Sequence, residues 1–237
     1  MIEAVYPILA ACVAPSLFWL AYWVYRGHLG QRRLLPVLSF FSTGLLAGPL
    51  ALGLFNLLEV NPFYADLAEI GSVNEVEKFV FAFFAIGPIE ELAKFVVAWA
   101  TLQLLADEVD QVRGGLVIAC AAALGFATIE NIYFMSFHDE VVWQRALTLP
   151  FNHALFSSFW GVGLSLYRIR PHNGGLWLTS CLMLSFIFHG LYNYILLSDN
   201  LPSALVLPLI LGLWVWLVRA LPALREGIRV AEKRGSV

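Results

Sequence analysis

Residues that can bind a metal, move a proton or steady an oxyanion stand inside stretches otherwise apolar enough to cross a bilayer: Glu90, Glu91, Lys94, Glu130, His153, His189 and Asn193. A charge at the centre of a membrane helix costs ~2.5–3.5 kcal/mol on insertion scales, so Glu90, Glu91, Lys94 and Glu130 together cost on the order of 10 kcal/mol before any pairing. A function has to keep them there. Glu90 and Lys94 share a helical face, whereas Glu91 points about 100° away, so the two carboxylates serve different purposes. A packing ion pair of Glu90 with Lys94 would leave Glu91 and Glu130 unexplained. His189 and Asn193 are four residues apart and address one volume with an imidazole and a neutral amide. His153 is the other histidine within a span; His28, His138 and His172 fall in expected loops.

A carboxylate with two histidines is a ligand set for catalytic zinc, which keeps one position for water. The same groups can work without a metal: a desolvated glutamate activates water as general base while histidine and Asn193 steady the tetrahedral oxyanion. The expected cofactor is therefore zinc or none, and the paired carboxylates with His-x-x-x-Asn lean toward the metal-free route because they supply both base and oxyanion donor. Both routes hydrolyse an acyl bond. A proton-coupled transporter or channel would also use carboxylates and histidines, as a relay. Transporters often show paired broken helices, and here only one break, Gly87-Pro88, stands beside the charges.

The elements that must carry these groups follow from hydropathy. The chain has 237 residues, 60% of them apolar and 13% charged, with a mean hydropathy of +0.77 and a net charge of −3, which is the composition of an all-α polytopic membrane protein. Spans of roughly 20 residues are expected at Ala4–Tyr25, Leu34–Leu58, Phe79–Leu105, Leu116–Phe137, Ala146–Tyr167, Leu176–Leu197 and Leu201–Leu221, seven helices in a single domain over 1–237. The first run, with Glu3 and no Lys or Arg in its short leader, reads as a retained span rather than a signal peptide. Cys12, Cys120 and Cys181 lie in apolar runs and give no disulfide framework or metal spacing. Asn61 to Glu77 reads as a surface loop with a short interfacial helix. Gly44 and Gly48 form a small-xxx-small pair that lets another helix approach.

Orientation follows from the basic residues, which are held on the cytoplasmic side of short loops. Arg26, Arg32, Arg33, Arg113, Arg168, Arg170, Arg219, Arg225, Arg229, Lys233 and Arg234 fall on one side, and only Lys78 and Arg145 on the other. The expected topology has the amino terminus outside and the carboxyl terminus in the cytoplasm. There the 223–237 tail, with Arg225, Arg229 and Lys233 on one face, meets anionic lipid. At about 1.5 Å per residue from the expected outer ends, Glu130, His153 and His189 lie roughly 10–12 Å deep and Glu90 roughly 17 Å. A shared cavity opening toward the outer leaflet is the economical expectation.

Read in order, Gly87-Pro88-x-Glu90-Glu91-x-x-Lys94, Gly125-Phe126-Ala127-x-x-Glu130-Asn131, Asn152-His153-Ala154 and His189-Gly190-x-x-Asn193 resemble the successive motifs of the PrsW family of intramembrane proteases. That family is similar in its paired-glutamate and His-x-x-x-Asn motifs to the CAAX-processing and bacteriocin-processing membrane proteases. The likeness covers 86–193. It implies that Glu90 activates water, that Glu91, His153 and His189 belong to the site, that Asn193 helps bind the oxyanion and that Glu130 is a further motif residue. Glu90, His153 and His189 would be the ligands if a metal is present. Tyr133 follows Glu130 at three residues where the family pattern leads one to expect four. The implied protein is an intramembrane endopeptidase of a prokaryotic plasma membrane. Its implied partners are a membrane-anchored protein or peptide substrate and the lipid bilayer, with no nucleic acid.

Overall fold

A computed structural model describes residues 2–26, 34–58, 74–105, 114–138, 141–169 and 172–233. Every regular element among them is helical: α1 (Ile2–Arg26), α2 (Leu34–Gly44), α3 (Ala47–Leu57), α4 (Glu75–Val80), a π-helix (Phe81–Ile86), α5 (Gly87–Leu104), α6 (Gly115–His138), α7 (Trp143–Ile169), α8 (Gly174–Leu197), a short 3-10 turn (Ser203–Leu205) and α9 (Val206–Lys233). Two of the rods are composite, α2 with α3 and α4 through α5. The described residues thus form seven rods, and four helical stretches are long and apolar enough to cross a membrane: Tyr6–Tyr25, Leu34–Leu57, Gly115–His138 and Gly174–Leu197.

Helix α6 is the axle, packed against α1, α2, α3, α5 and α7. Its amino-terminal half, Ala119 to Ala123 with Gly125, is built of small residues, and all of them are buried. Small side chains allow backbones to close in where lipid gives no hydrophobic driving force between helices. A Cβ on Gly125 would strike the Phe41 carbonyl oxygen, and one on Gly44 would strike the Ala122 carbonyl oxygen, so α2 and α6 touch backbone to backbone. Gly48 lies against Ile129 of the same helix.

Two spans depart from simple helices. The expected 34–58 run breaks at Leu45–Leu46, between α2 and α3. Pro49 has no N–H to offer the Leu45 carbonyl, and Leu45 and Leu46 instead donate back to Ser42 and Thr43. In the next rod Pro88 removes the donor for Phe84. The helix widens over Phe81–Ile86, and the Gly87 N–H reaches the Ala82 carbonyl five residues back. Gly87 and Gly190 allow this widened segment to lie directly on α8: a Cβ on either would meet backbone of the other helix within 3.0 Å. The π-helix therefore sits immediately before the paired glutamates.

The expected surface loop and interfacial helix of Asn61–Glu77 fall on residues 59–73, outside the described residues, apart from the last few; α4 begins at Glu75, is capped by the Asn74 side chain accepting from the Glu77 N–H, and runs directly into the π-helix. Helix α9 continues through the expected tail to Lys233. Arg32, Arg33, Arg113, Arg170 and Arg234, which enter the orientation reading, also lie outside the described residues.

Candidate active site

The carboxylates and imidazoles named from the sequence converge from four helices. Glu90, Glu91 and Lys94 come from α5, Glu130 from α6, His153 from α7 and His189 from α8, and all are buried. The first turn of α5 carries the adjacent glutamates, and their different headings give them different surroundings.

Glu91 is fully buried and surrounded by donors. Its Oε1 accepts from Lys94 Nζ at 2.7 Å and faces His189 Nδ1 at 3.0 Å. Its Oε2 accepts from Ser157 Oγ at 2.7 Å and Trp160 Nε1 at 3.1 Å, and Ser185 Oγ stands 2.9 Å away. A carboxylate so saturated has no lone pair free for a water molecule. The Lys94 pairing also departs from the simple i, i+4 expectation, because Nζ lies 3.7 Å from Glu90 Oε2 but 2.7 Å from Glu91. Lys94 fills the space between elements, with Nζ 4.1 Å from the centre of the Phe126 ring and 2.7 Å from His153 Nδ1.

Glu90 Oε2, by contrast, is buried without a hydrogen-bond partner among the described residues. It lies 3.6 Å from His189 Nε2. The two imidazoles meet edge to face with centroids 5.1 Å apart, and His189 stacks on Phe156 at 4.8 Å. Glu130 lies at the Arg145 end of the cluster. Its Oε1 accepts from Arg145 Nη2 at 2.7 Å, and its Oε2 is 2.8 Å from His153 Nε2, an approach that lacks the angle of a hydrogen bond.

Asn193 lies on the His189 face but donates from Nδ2 to the His189 carbonyl at 3.1 Å. A side-chain amide nitrogen carries two N–H groups, so one remains to give. Asn131, fully buried, has neither amide atom paired among the described residues. Tyr133 is half-exposed, and Asn152 ties α7 to α8 through Tyr192 at 3.0 Å.

The ligand atoms of Glu90, His153 and His189 all lie within 4.8 Å of one another. Tetrahedral zinc with ~2.0–2.1 Å bonds needs ligand atoms about 3.4 Å apart, so side-chain adjustments of an ångström or so would close the set. His189 fits the pattern of a metal ligand, since Glu91 takes its Nδ1–H and leaves Nε2 toward Glu90. His153 fits less simply. Its Nδ1 faces an ammonium that can only donate, which puts the ring proton on Nε2, so binding a metal through Nε2 would require the other tautomer, with the proton on Nδ1 and Lys94 turned away from it.

Sequence reading passed over Ser157, Trp160 and Ser185, and used Arg145 only for topology. The first three were legible in principle. Ser157 and Trp160 follow His153 at four and seven residues on one face of α7, and Ser185 precedes His189 by four on α8. Singly, though, a serine in a membrane helix is an ordinary packing residue.

Fold and cluster together define a class: a polytopic all-α membrane protein with carboxylates and imidazoles gathered in its interior. Residues 31–221 match the model of the PrsW family intramembrane metalloproteases, and the chain belongs to that family. Among curated relatives, Protease PrsW of Oceanobacillus iheyensis is 30% identical over 212 residues, covering 88% of this chain and 91% of that protein. Protease PrsW of Halalkalibacterium halodurans is 28% identical over 216 residues, covering 88% and 93%. That of Bacillus subtilis is 32% identical over 130 residues, covering 54% and 55%. No solved structure matches significantly. The protein is an intramembrane protease, and family membership answers the transporter alternative in favour of the enzyme.

Proposed function

We propose that this protease cuts a peptide bond of a membrane-anchored substrate in the outer half of the bilayer, at the meeting point of Glu90, His153 and His189. The carrying observation is the approach of their ligand atoms to within 4.8 Å, all three side chains being buried. The family's description as metalloproteases favours a metal there over the metal-free route. Zinc, when held by these three groups, would supply Lewis acidity and lower the pKa of water at its open position.

The chain's own residues divide the remaining work. Glu130 Oε2 is the free carboxylate oxygen nearest the imidazoles once Glu90 serves as a ligand. It takes the proton of the attacking water and returns it to the departing amine. Without a metal, Glu90 Oε2 would fill that basic role. The second N–H of Asn193, one turn of α8 beyond His189, is the neutral donor for the oxyanion. Glu91 does not touch the reaction. It holds His189 in one tautomer and orientation, and its own charge is matched by Lys94.

The outward position rests on the distribution of basic residues, with the amino terminus outside, and on the Glu130–Arg145 end of the cluster lying toward the basic-poor side. A single domain over 1–237 carries the activity. The test is cleavage of a quenched-fluorescent single-pass peptide by reconstituted protein, comparing wild type with Glu90→Gln, Glu130→Gln, His153→Ala and His189→Ala. Each variant is expected to lose at least a hundredfold in kcat. Cleavage that survives all four changes would remove this chemistry.

A further inference from the structure

We infer that Arg145 is a positioning residue for the hydrolytic site, holding Glu130 so that its second oxygen, the proposed proton acceptor, stays beside His153; this rests on the reading of Glu130 and His153 as site residues. Arg145 lies two residues into α7, and the motifs that carry the family resemblance do not include it. On the basic-poor side only Lys78 accompanies it, and Lys78 is engaged by Asp199 and Glu75 in tying α4 to the end of α8. Helix orientation is served better by a cation on the other side, so an arginine here needs a local reason.

The reason is geometric. Arg145 Nη2 grips Glu130 Oε1 at 2.7 Å while the guanidinium carbon lies 4.2 Å from the centre of the Phe134 ring. Phe134 and Glu130 are one turn apart on α6, so one helix surface fixes both the plane and the tip of the arginine. A glutamate carboxylate otherwise turns freely about its last torsion, which is broad and twofold. With Oε1 held, Oε2 is held as well, 2.8 Å from His153 Nε2. The chain of contacts continues from His153 Nδ1 to Lys94 and from Lys94 to Glu91, which grips His189. The Arg145 side chain is 26% exposed against 11% for Glu130 and 2% for His153, so the chain starts at the rim and ends in the interior. Lysine would keep the charge but lose the planar face that stacks on Phe134.

The experiment uses full-length protein with 15N-labelled histidine, metal-free, and follows the imidazole nitrogen signals of His153, assigned by their loss in His153→Gln. A cycle of Arg145→Gln, Glu130→Gln and the double variant isolates the path. Arg145→Gln is expected to move the His153 signals while leaving those of His189 in place, and to add no further change in the Glu130→Gln background. On the single-pass peptide, Arg145→Gln should lower kcat by ~10–100-fold, the range for a partner behind a site ligand, with KM changed less than about threefold. Arg145→Lys should fall between Gln and wild type, and it replaces Gln in the cycle if the glutamine variant does not fold. Unmoved His153 signals, or an equal shift with Glu130 already changed, would overturn the inference. So would a lysine variant no better than glutamine. The site reading fails separately, if Glu130→Gln and His153→Ala cleave like wild type.

Discussion

His189 Nδ1 lies 3.0 Å from Glu91 Oε1, a contact Glu90 does not share, and under the proposed function that difference makes Glu91 the holder and Glu90 the worker. Glu91, saturated by Lys94, Ser157, Trp160 and His189, sets the imidazole; Glu90, one residue earlier, keeps an oxygen unpaired among the described residues, 3.6 Å from His189 Nε2.

Glu91→Ala removes the anion beneath two buried bases and leaves Lys94 without its nearest counter-charge. Breaking a buried ion pair from one side costs about 3–5 kcal/mol. The expected outcome is a large fall in the midpoint of thermal unfolding in detergent, well beyond that of Glu90→Gln. Equal midpoints for the two variants would contradict the division of roles.

The seam between α2 and α6 leaves no space for a side chain at Gly125, where a Cβ would meet the Phe41 carbonyl. Gly125→Val should cost at least the ~1–3 kcal/mol typical of overpacking and reduce the yield of folded protein. Gly53 and Gly212 have open space around the added Cβ, so Ala at either should be neutral or stabilising by up to ~1 kcal/mol in a helix. Size-exclusion yield and unfolding midpoints compare the three.

Ahead of the α5 span, Glu75 accepts from Ser198 Oγ at 2.7 Å, the Asp199 N–H at 2.9 Å and Tyr194 Oη at 3.2 Å. The Ser198 hydroxyl and the Asp199 N–H hold its pKa below the ordinary 4.5. Hydrogen bonding to Asp199 raises Lys78 above 10.5. A lowered carboxylate contributes stability that is complete above its unfolded pKa and lost as pH falls through the folded value. A raised lysine contributes below its unfolded pKa and loses it as pH climbs through the folded one. The clasp of α4 on α8 should therefore hold between about pH 5 and 10. Hydrogen exchange of the 75–80 amides is expected to accelerate below that window in wild type, corrected for intrinsic rates, and to be already fast at neutral pH in Glu75→Gln.

Much of the architecture was legible because a span needs little more than length and apolarity, and the motif residues stood out against lipid-compatible surroundings. Pro88 announced a break, yet its form, a π-helix over Phe81–Ile86, depended on Gly87 and Gly190 meeting across two helices. The break at Leu45–Leu46 was hidden by uninterrupted hydropathy, since Leu45 and Leu46 are as apolar as their neighbours. Periodicity separated Glu90 from Glu91 but could not tell which one Lys94 would prefer. That choice is made by Ser157 and Trp160 of α7, which gather around Glu91 through tertiary packing. Arg145 was invisible as a site neighbour for the same reason: its partner Glu130 is on another helix.

Joint ligation by Glu90, His153 and His189 is tested most directly by metal content measured beside cleavage in purified wild type and the three single variants. Convergence on one centre predicts about one zinc-type ion per chain in wild type, and its loss together with cleavage in Glu90→Gln, His153→Ala and His189→Ala. A variant of any of the three that retains both the ion and wild-type cleavage would contradict it.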